Sequence, residues 1–234
     1  MSAVEFVRGI AVKGNRYKVY CAGPLFNPKE REEMQQIASV LEGAGYRVFL
    51  PQRDGLEFAR LFPYLVEKNI SSQDAQKILN IAIFSLDVFQ IMGSQGLLLN
   101  MNGRVPDEGA MVEAGIAWAH DKVVVIFRSD CRSLVEGNCN PMILGLSDFS
   151  FVSDYRDITT AFETAFSSAT EKALLSDDPK FEATNKSGKQ ISDFLASEKS
   201  PGDIADLVID LFRERICRSS EDPKESCSQA STQP

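Results

Sequence analysis

Histidine is nearly absent from this chain, whose single histidine is His120. Any Ser-His-Asp or Cys-His mechanism would therefore depend on that one residue. It lies in the segment WAHDK at the end of a predicted helix, where a cation complements the negative end of the helix dipole. That position has an ordinary structural explanation, so catalysis through histidine is disfavoured.

Cysteine pairs of the CxxC type are also missing. The five cysteines are an odd number and are scattered along the chain, at Cys21, Cys131, Cys139, Cys217 and Cys227. This spacing favours neither a zinc site nor a disulfide framework. We therefore expect no metal, and a reducing cytoplasm as the location.

Positive charge and long apolar runs are scarce. The formal net charge is −8, which argues against a nucleic-acid polymer as partner, because binding phosphates needs a basic surface. The start of the chain, MSAVEFVRG, lacks the apolar core of a secretory signal. No uninterrupted apolar run approaches the roughly 20 residues that span a bilayer. We expect neither nucleic acid nor a membrane as partner.

Two nucleotide-binding signatures are absent as well. The first turn between a predicted strand and helix reads CAGPLF, which is not GxGxxG, and no Walker loop occurs. A hydride-transfer enzyme or a P-loop enzyme is therefore disfavoured, and no cofactor is predicted.

The stretch from Gly96 to Arg128 organises the predicted fold. Leu97–Met101 and Val123–Phe127 are short apolar runs, typical of strands buried on both faces of a parallel sheet. A helix of small residues between them supplies the crossover. Asp107 can cap that helix, and Glu113 lies inside it with no Lys or Arg three or four positions away. From spacing alone, the two acids could equally be a capping residue and a partly exposed helix residue.

The N-terminal part predicts a strand–helix–strand unit. Tyr17–Ala22 reads as a strand, Asn27 caps a helix beginning at Pro28, and Tyr46–Leu50 reads as the next strand. Phe149–Val152 could add an edge strand. Strands that alternate with helices predict an α/β fold, a doubly wound parallel sheet of about five strands.

The middle of the chain leaves one boundary open. A long helix begins at Ser72 or Asp74 and either continues to Met92 or stops near Ser85, before a strand that opens at Asp87. Asp87 is a lone acid among apolar residues. Held among them it would be desolvated, which raises a carboxyl pKa; at an element boundary it would simply face water.

The C-terminal third predicts helices outside the sheet. Ile158–Leu175 and Asp203–Cys217 are amphipathic, and the polar residues 176–201 between them predict a mobile linker. The expected organisation is a leader (1–16), an α/β domain (17–155), a helical extension (156–217) and a disordered tail (218–234).

Several chemically useful residues fall at strand ends or on the helices that follow, where ligands bind in open α/β sheets. They are Tyr20, the turn Gly23–Phe26, the loop PQRDG from Pro51 to Gly55, Asp87, and the pair Asp107 and Glu113. Paired carboxylates without a metal-ligand cluster suit glycosyl transfer through an oxocarbenium-like transition state.

The segments YCAGPLF, PQRDG, the Asp87 segment and DEGAMVEAGIAWA, in this order, resemble the nucleoside 2-deoxyribosyltransferase family. The resemblance covers roughly residues 17–150. It implies a flavodoxin-like fold, a homo-oligomer with sites near subunit interfaces, and exchange of the base on 2′-deoxyribonucleosides with retention. Free nucleobases and nucleosides would be the small-molecule partners.

The resemblance also implies roles for individual residues. Glu113 would be the nucleophile that forms a deoxyribosyl ester, and Tyr20 would hydrogen-bond and orient it. Asp107 would bind the sugar hydroxyls, and Asp87 would exchange a proton with the base. The remaining substrate-binding candidates are Gly23, Phe26 against the base, Gln52 as base reader, and Asn140, which would reach a neighbouring subunit's sugar.

Two other functions stay open at this point. A hydrolase could transfer the sugar of a nucleoside or its 5′-monophosphate to water, although CAGPLF offers no hydroxyl or Arg for a phosphate. A non-enzymatic nucleotide sensor is the alternative from another class, but a pure binder does not need a nucleophile.

Overall fold

The computed structural model describes residues 17–103, 106–130, 140–168, 182–197 and 199–219. The described strands are β1 Lys18–Ala22, β2 Arg47–Phe49, β3 Gly96–Asn100 and β4 Val123–Phe127. The described helices are α1 Pro28–Gly43, α2 Pro51–Asp54, α3 Phe58–Glu67, α4 Ser72–Met92, α5 Glu108–Ala119, α6 Pro141–Leu144, α7 Tyr155–Ser168, α8 Glu182–Leu195 and α9 Pro201–Ser219, with a short 3-10 turn at Gly145–Ser147.

The four strands form one parallel sheet in the order β2-β1-β3-β4. Tyr20 on β1 is in register with Phe49 on β2 and with Leu97 on β3. Because all four strands run the same way, their carboxyl ends share one edge of the sheet, where α/β proteins place their ligands. The predicted α/β fold with a parallel, helix-flanked sheet is confirmed.

The expected fifth strand is not formed among the described residues. Of the predicted strand Phe149–Val152, only Val152 joins the sheet, by an isolated parallel bridge to Phe127. The chain enters this segment through Asp148 and Phe149, which both have positive φ angles of 50° and 60°. That left-handed turn prevents the extended conformation that a paired strand needs.

One face of the sheet packs against α1 and α7. Val19 and Cys21 of β1 join an apolar cluster with Leu98, Phe127 and the buried residues of both helices. Alternate residues of a strand point to opposite faces, so Tyr20 lies on the other face. There α5 contacts β1, β3 and β4.

Helix α4 settles the open boundary in the middle of the chain. It runs without interruption from Ser72 to Met92, so no strand opens at Asp87. Its apolar residues Ile78, Ala82 and Leu86 are all buried. Their spacing of four positions is typical of one face of a helix, whereas a strand face would repeat every two residues.

By length and composition alone, α4 is also the one described helix that could cross a membrane. Its most apolar window has a mean hydropathy of 1.2, and half of that window is buried inside the protein. A buried core helix meets the same criterion. Gln73, Lys77 and Asp87 interrupt its apolar residues, which is why no apolar run stands out in the sequence.

The described chain divides into two compact units. The first consists of the described residues within 1–56 and 85–189 and contains the sheet with every predicted site residue; the second consists of those within 57–84 and 190–234. In the second unit α3 and α9 contact each other, and Lys68 pairs with Asp206. The predicted domain boundaries stay predictions.

The predicted mobile linker over residues 176–201 is wrong for Glu182–Leu195, which form helix α8. Gly188 of α8 lies against α4 so closely that a Cβ at that position would be 2.0 Å from the Ser85 carbonyl oxygen. Packing of one helix backbone on another thus orders a segment whose polar composition suggested otherwise. The predicted leader lies outside the described residues, as do residues 169–175 of the predicted helix and 220–234 of the predicted tail.

Candidate active site

Tyr20 lies at the centre of the candidate site. It is fully buried on β1, and its ring stacks on Phe49 with centroids 5.5 Å apart. Its hydroxyl donates a hydrogen bond of 2.6 Å to Oε1 of Glu113. The predicted contact between Tyr20 and Glu113 is therefore confirmed, although its role in a reaction stays a prediction.

Glu113 reaches this phenol because α5 lies close to the sheet. The buried residues of α5 are the small Ala110, Ala114 and Ala117. Larger side chains at these positions would hold the helix farther from the sheet. Burial, and after it the charge of Asp87, raise the pKa of Glu113 to about 8, although the hydrogen bond from Tyr20 acts in the opposite direction.

Asp87 approaches the same phenol from helix α4. Burial raises the pKa of Asp87 to about 7, and a hydrogen bond with Tyr20 opposes that shift. Burial and the charges of Asp87 and Glu113 in turn raise the pKa of Tyr20 well above its ordinary value. Two carboxyl groups and one phenol therefore form a coupled group, in which the first proton lost near neutral pH belongs to the carboxyl pair.

Asp107 begins α5, as predicted. Its Oδ1 accepts a hydrogen bond of 2.7 Å from the backbone amide of Ala110, which satisfies one free donor at the helix N-terminus. Its charge also contributes to the raised pKa of Glu113. Among the described residues, no hydrogen bond occupies its second carboxylate oxygen, Oδ2.

The turn after β1 is tightly packed at one residue and open at another. A Cβ at Gly23 would lie 2.6 Å from the Met34 sulfur and 2.8 Å from Asn100 Cβ, so the position excludes a side chain. Phe26 is 76% exposed, which leaves its ring free to meet a ligand or another protein surface. The backbone amide of Phe26 donates to Oε2 of Glu30 at 2.8 Å.

The PQRDG segment, expected as a loop, forms the short helix α2 instead. Pro51 occupies its first turn, where a missing amide costs nothing, and Asp54 accepts a hydrogen bond of 2.8 Å from the amide of Leu50. Gln52 donates from Nε2 to the carbonyl of Arg31 at 2.8 Å. Its Oε1 is buried and has no hydrogen-bond partner among the described residues.

Asn140 begins the short helix α6 and is exposed. Its Oδ1 accepts from the amide of Met142 at 2.9 Å. Within the described chain, no hydrogen bond joins Asn140, Gln52 or Phe26 to the group formed by Tyr20, Asp87, Asp107 and Glu113. The structure thus brings together Tyr20, Asp87, Asp107 and Glu113. The roles of these four residues in a reaction stay predictions, as do the substrate contacts expected of Gly23, Phe26, Gln52 and Asn140.

Sequence reasoning missed a second polar cluster at the same edge of the sheet. Asn100 at the end of β3 and Asn102 just beyond it both donate to Glu33 on α1. The signal was the NxN pattern directly after the buried run LLL. Across the part of the chain that is described, no group of three or more His, Cys, Asp or Glu side chains could hold a metal ion.

A comparison with known protein families finds a match over most of the sequence. The family model described as nucleoside 2-deoxyribosyltransferase matches residues 19–192. No curated protein matches the chain.

Among solved structures, three are similar to part of the chain. A conserved protein from Enterococcus faecalis V583 is 19% identical, with a TM-score of 0.44, over 63% of this chain and 98% of its own. A 2-deoxyribosyltransferase from Bacillus psychrosaccharolyticus is 22% identical, with a TM-score of 0.43, over 61% and 90%. A CMP N-glycosidase from Clostridium botulinum is 14% identical, with a TM-score of 0.36, over 63% and 98%.

The family match runs from β1 into α8 and includes Tyr20, Asp87, Asp107 and Glu113. Since it spans well over half of the sequence, the chain belongs to the nucleoside 2-deoxyribosyltransferase family.

Proposed function

We propose that the protein transfers the 2-deoxyribosyl group of a 2′-deoxyribonucleoside from one nucleobase to another. The observation that supports this most strongly is the phenol of Tyr20 shared by two buried carboxyl groups, with its 2.6 Å hydrogen bond to Glu113. Family membership supports nucleosides and nucleobases as the substrate class.

In the first half-reaction, Glu113 attacks C1′ of the sugar. A bond forms between its carboxylate oxygen and C1′ while the bond between C1′ and the base nitrogen breaks. The nucleophile must be ionised, and the hydrogen bond from Tyr20 favours the anion and fixes its orientation. Asp107 binds a sugar hydroxyl through the carboxylate oxygen that does not cap α5.

Asp87 supplies the proton that the departing base requires. With a pKa raised to about 7, it holds a proton in a substantial fraction of molecules at neutral pH. In the second half-reaction, an incoming base loses a proton to Asp87 and attacks C1′, and the ester to Glu113 breaks. Two displacements at C1′ retain its configuration.

Mass spectrometry with deoxyinosine is the direct test. We expect a deoxyribose-sized adduct on Glu113, and adenine-dependent formation of deoxyadenosine. Glu113→Gln abolishes both, while Glu108→Gln, an exposed acid on the same helix, retains both. An active Glu113→Gln variant would refute the proposed nucleophile, and nucleoside binding without any turnover would support the sensor.

Hydrolysis of nucleosides or their 5′-monophosphates is the second candidate, and one contact favours it. Arg31 donates from Nε to the carbonyl of Leu25 at 2.9 Å, which puts a cation beside the turn after β1. Against a phosphate there, the Glu30 carboxylate accepts from the amides of Phe26 and Asn27 and occupies the anion position at the α1 N-terminus. We therefore favour nucleosides.

Addition of a free nucleobase distinguishes base exchange from hydrolysis. A hydrolase releases free deoxyribose at a rate that ignores adenine, and a monophosphate-specific enzyme prefers deoxyinosine 5′-monophosphate to deoxyinosine. Either result would replace base exchange as the proposed activity.

We also propose that the protein forms a homo-oligomer. On α5, Val112 and Trp118 are exposed apolar side chains, as are Met142 and Phe149 beyond β4, and exposed apolar surface of this kind often marks an interface. Light scattering should report a mass above one chain, and Trp118→Glu should lower it. A monomeric wild type would exclude the proposal.

The proposed setting is nucleotide salvage in the cytoplasm. Base exchange recycles preformed nucleosides without building a new sugar. Cell fractionation checks the location, and deoxynucleoside pools measured after gene deletion check the role. Unchanged pools would argue against salvage.

A further inference from the structure

A buried asparagine, Asn102, joins the loops that follow the neighbouring strands β3 and β4. Its Oδ1 accepts from the backbone amides of Ser129 and Asp130, at 2.8 Å and 3.1 Å. Its Nδ2 donates to Oε1 of Glu33 at 2.8 Å and to the Ser129 hydroxyl at 2.9 Å. A primary amide can make four such bonds, so every hydrogen-bonding position of this side chain is used.

Glu33 connects the asparagine to the rest of the first unit. Its carboxylate, on α1, also accepts from Nδ2 of Asn100 at 2.9 Å and from the Tyr155 hydroxyl at 3.2 Å. One anion thus binds donors from the end of β3, the loop beyond it and helix α7. Hydrogen bonds to a charged group are stronger than those between neutral groups, so this arrangement resists displacement.

The chain that leaves this cluster leads directly to the candidate site. The amide of Gly103, next to Asn102, donates to Oδ2 of Asp130 at 3.2 Å. Asp107 follows four residues later and caps α5, the helix that carries Glu113. Gly103 is thus held by the loop after β4, and Asp107 is held by the cap of α5.

We propose that Asn102 is a positioning residue, which with Glu33 holds the loop carrying Asp107 in register with Glu113 so that the sugar binds correctly. The inference rests on the proposed function for its catalytic consequence. Neither Asn102 nor Glu33 is expected to touch the substrate.

An exchange of amide and carboxylate tests this proposal. Asn102→Asp puts two carboxylates against each other, and Glu33→Gln turns one acceptor of the cluster into a donor. In the double variant Glu33→Gln/Asn102→Asp, the new amide can donate to the new carboxylate. The bond between the two positions is then restored with its direction reversed and the net charge unchanged, and the Asn100 bond is kept. Asn80→Ala, an exposed asparagine on α4, is the control.

The first readout does not depend on activity. The amide of Ala110 donates to Asp107, so its resonance in a ¹⁵N–¹H spectrum reports the position of the cap. We expect this resonance to move in both single variants and to return in the double variant. A general loss of stability would lower Tm without moving the resonance of the folded protein.

The second readout is base exchange between deoxyinosine and adenine. In the single variants we expect KM to rise about tenfold and kcat to change less, since loop misplacement weakens sugar binding; the double variant should recover most of the loss. An unmoved Ala110 resonance in folded single variants, or a double variant as impaired as they are, would overturn the proposal.

The test still decides the proposal if the wild type is inactive or if the single variants do not fold. If the wild type exchanges no base, the proposed function fails, and the Ala110 resonance still decides whether Asn102 positions the loop. If the single variants do not fold, Ser129→Ala removes only one of the four bonds of Asn102. A smaller shift of the Ala110 resonance in that variant supports the proposal, and no shift overturns it.

Discussion

The negative charge of Asp87 on one helix raises the pKa of Glu113 on another, and both carboxyl groups hydrogen-bond the same phenol of Tyr20. A protonated Asp87 can donate to the phenol oxygen while the phenol donates to an ionised Glu113. The proposed base exchange requires this state of the pair, with one proton on Asp87 and none on Glu113.

The pH dependence of kcat/KM should be bell-shaped. Activity needs the carboxyl pair to hold one proton, so it rises as the first proton leaves and falls as the second leaves. With pKa values of about 7 for Asp87 and about 8 for Glu113, we expect the maximum between these values. Initial rates of exchange from pH 5 to 10 provide the measurement, and a flat profile across that range would contradict the coupled pair.

Removal of the phenol hydroxyl should slow the reaction and shift the whole pH profile of kcat/KM. The Tyr20 hydrogen bond lowers the pKa of both Asp87 and Glu113. Tyr20→Phe therefore makes both carboxyl groups harder to ionise and moves both limbs of the profile to higher pH. Loss of a hydrogen bond to a charged group corresponds to roughly a 10- to 100-fold fall in kcat/KM. Tyr64→Phe, on a partly exposed ring, is the matched control and should change neither kcat/KM nor its pH profile.

The buried carboxyl groups should make the protein less stable as pH rises. Their folded pKa values lie above the unfolded ones, so the folded state binds more protons than the unfolded state near neutral pH. The stability they contribute is complete below about pH 4 and is lost progressively up to about pH 8. The free energy of unfolding of the wild type, measured in urea, should fall over this window.

Glu113→Gln removes one of these two groups and should weaken that dependence. We expect the variant to exceed the wild type in stability at pH 8 by about 1–4 kcal/mol, whereas Glu108→Gln should follow the wild-type curve. A wild type whose stability rises from pH 5 to 8 would show that these carboxyl groups are not buried as described.

Substitution of Gly188 should destabilise the contact between α8 and α4. A Cβ there would lie 2.0 Å from the Ser85 carbonyl oxygen and 2.4 Å from Phe89 Cβ. Gly188→Ala must therefore move one helix, at a cost of about 1–3 kcal/mol. Gly43→Ala is the control, because its Cβ would meet nothing within 4 Å; thermal unfolding of both variants provides the measurement. Equal Tm values would refute the close packing.

Much of the site followed from the sequence because the signals were local. The helix cap at Asp107 depends on residues within one helical turn. Tyr20 and Glu113 lie in short segments that resemble motifs of the family. The role of Asp87 in the structure was harder to predict, since the apolar run around it fits a helix or a strand. The buried face of α4 decided that question by packing.

Two segments that were predicted to be irregular are helical, for different physical reasons. PQRDG has the composition of a loop, yet Asp54 and a proline in the first turn stabilise a helix there. The segment Glu182–Leu195 is polar, yet a glycine allows it to pack on α4. A contact with a distant helix outweighed local composition in Glu182–Leu195. In PQRDG, interactions within a single turn were sufficient.

By itself, the sequence determined the alternation of strands and helices, the caps and the identity of the acidic residues, since these depend on periodicity and on neighbours a few positions away. Only the tertiary structure decided that carboxyl groups 26 positions apart in sequence, Asp87 and Glu113, meet at one phenol. It also decided that Asn102 connects two loops to Glu33. Such contacts are set by the order of strands in the sheet and by the distance of each helix from it, and neither quantity is encoded in any local pattern.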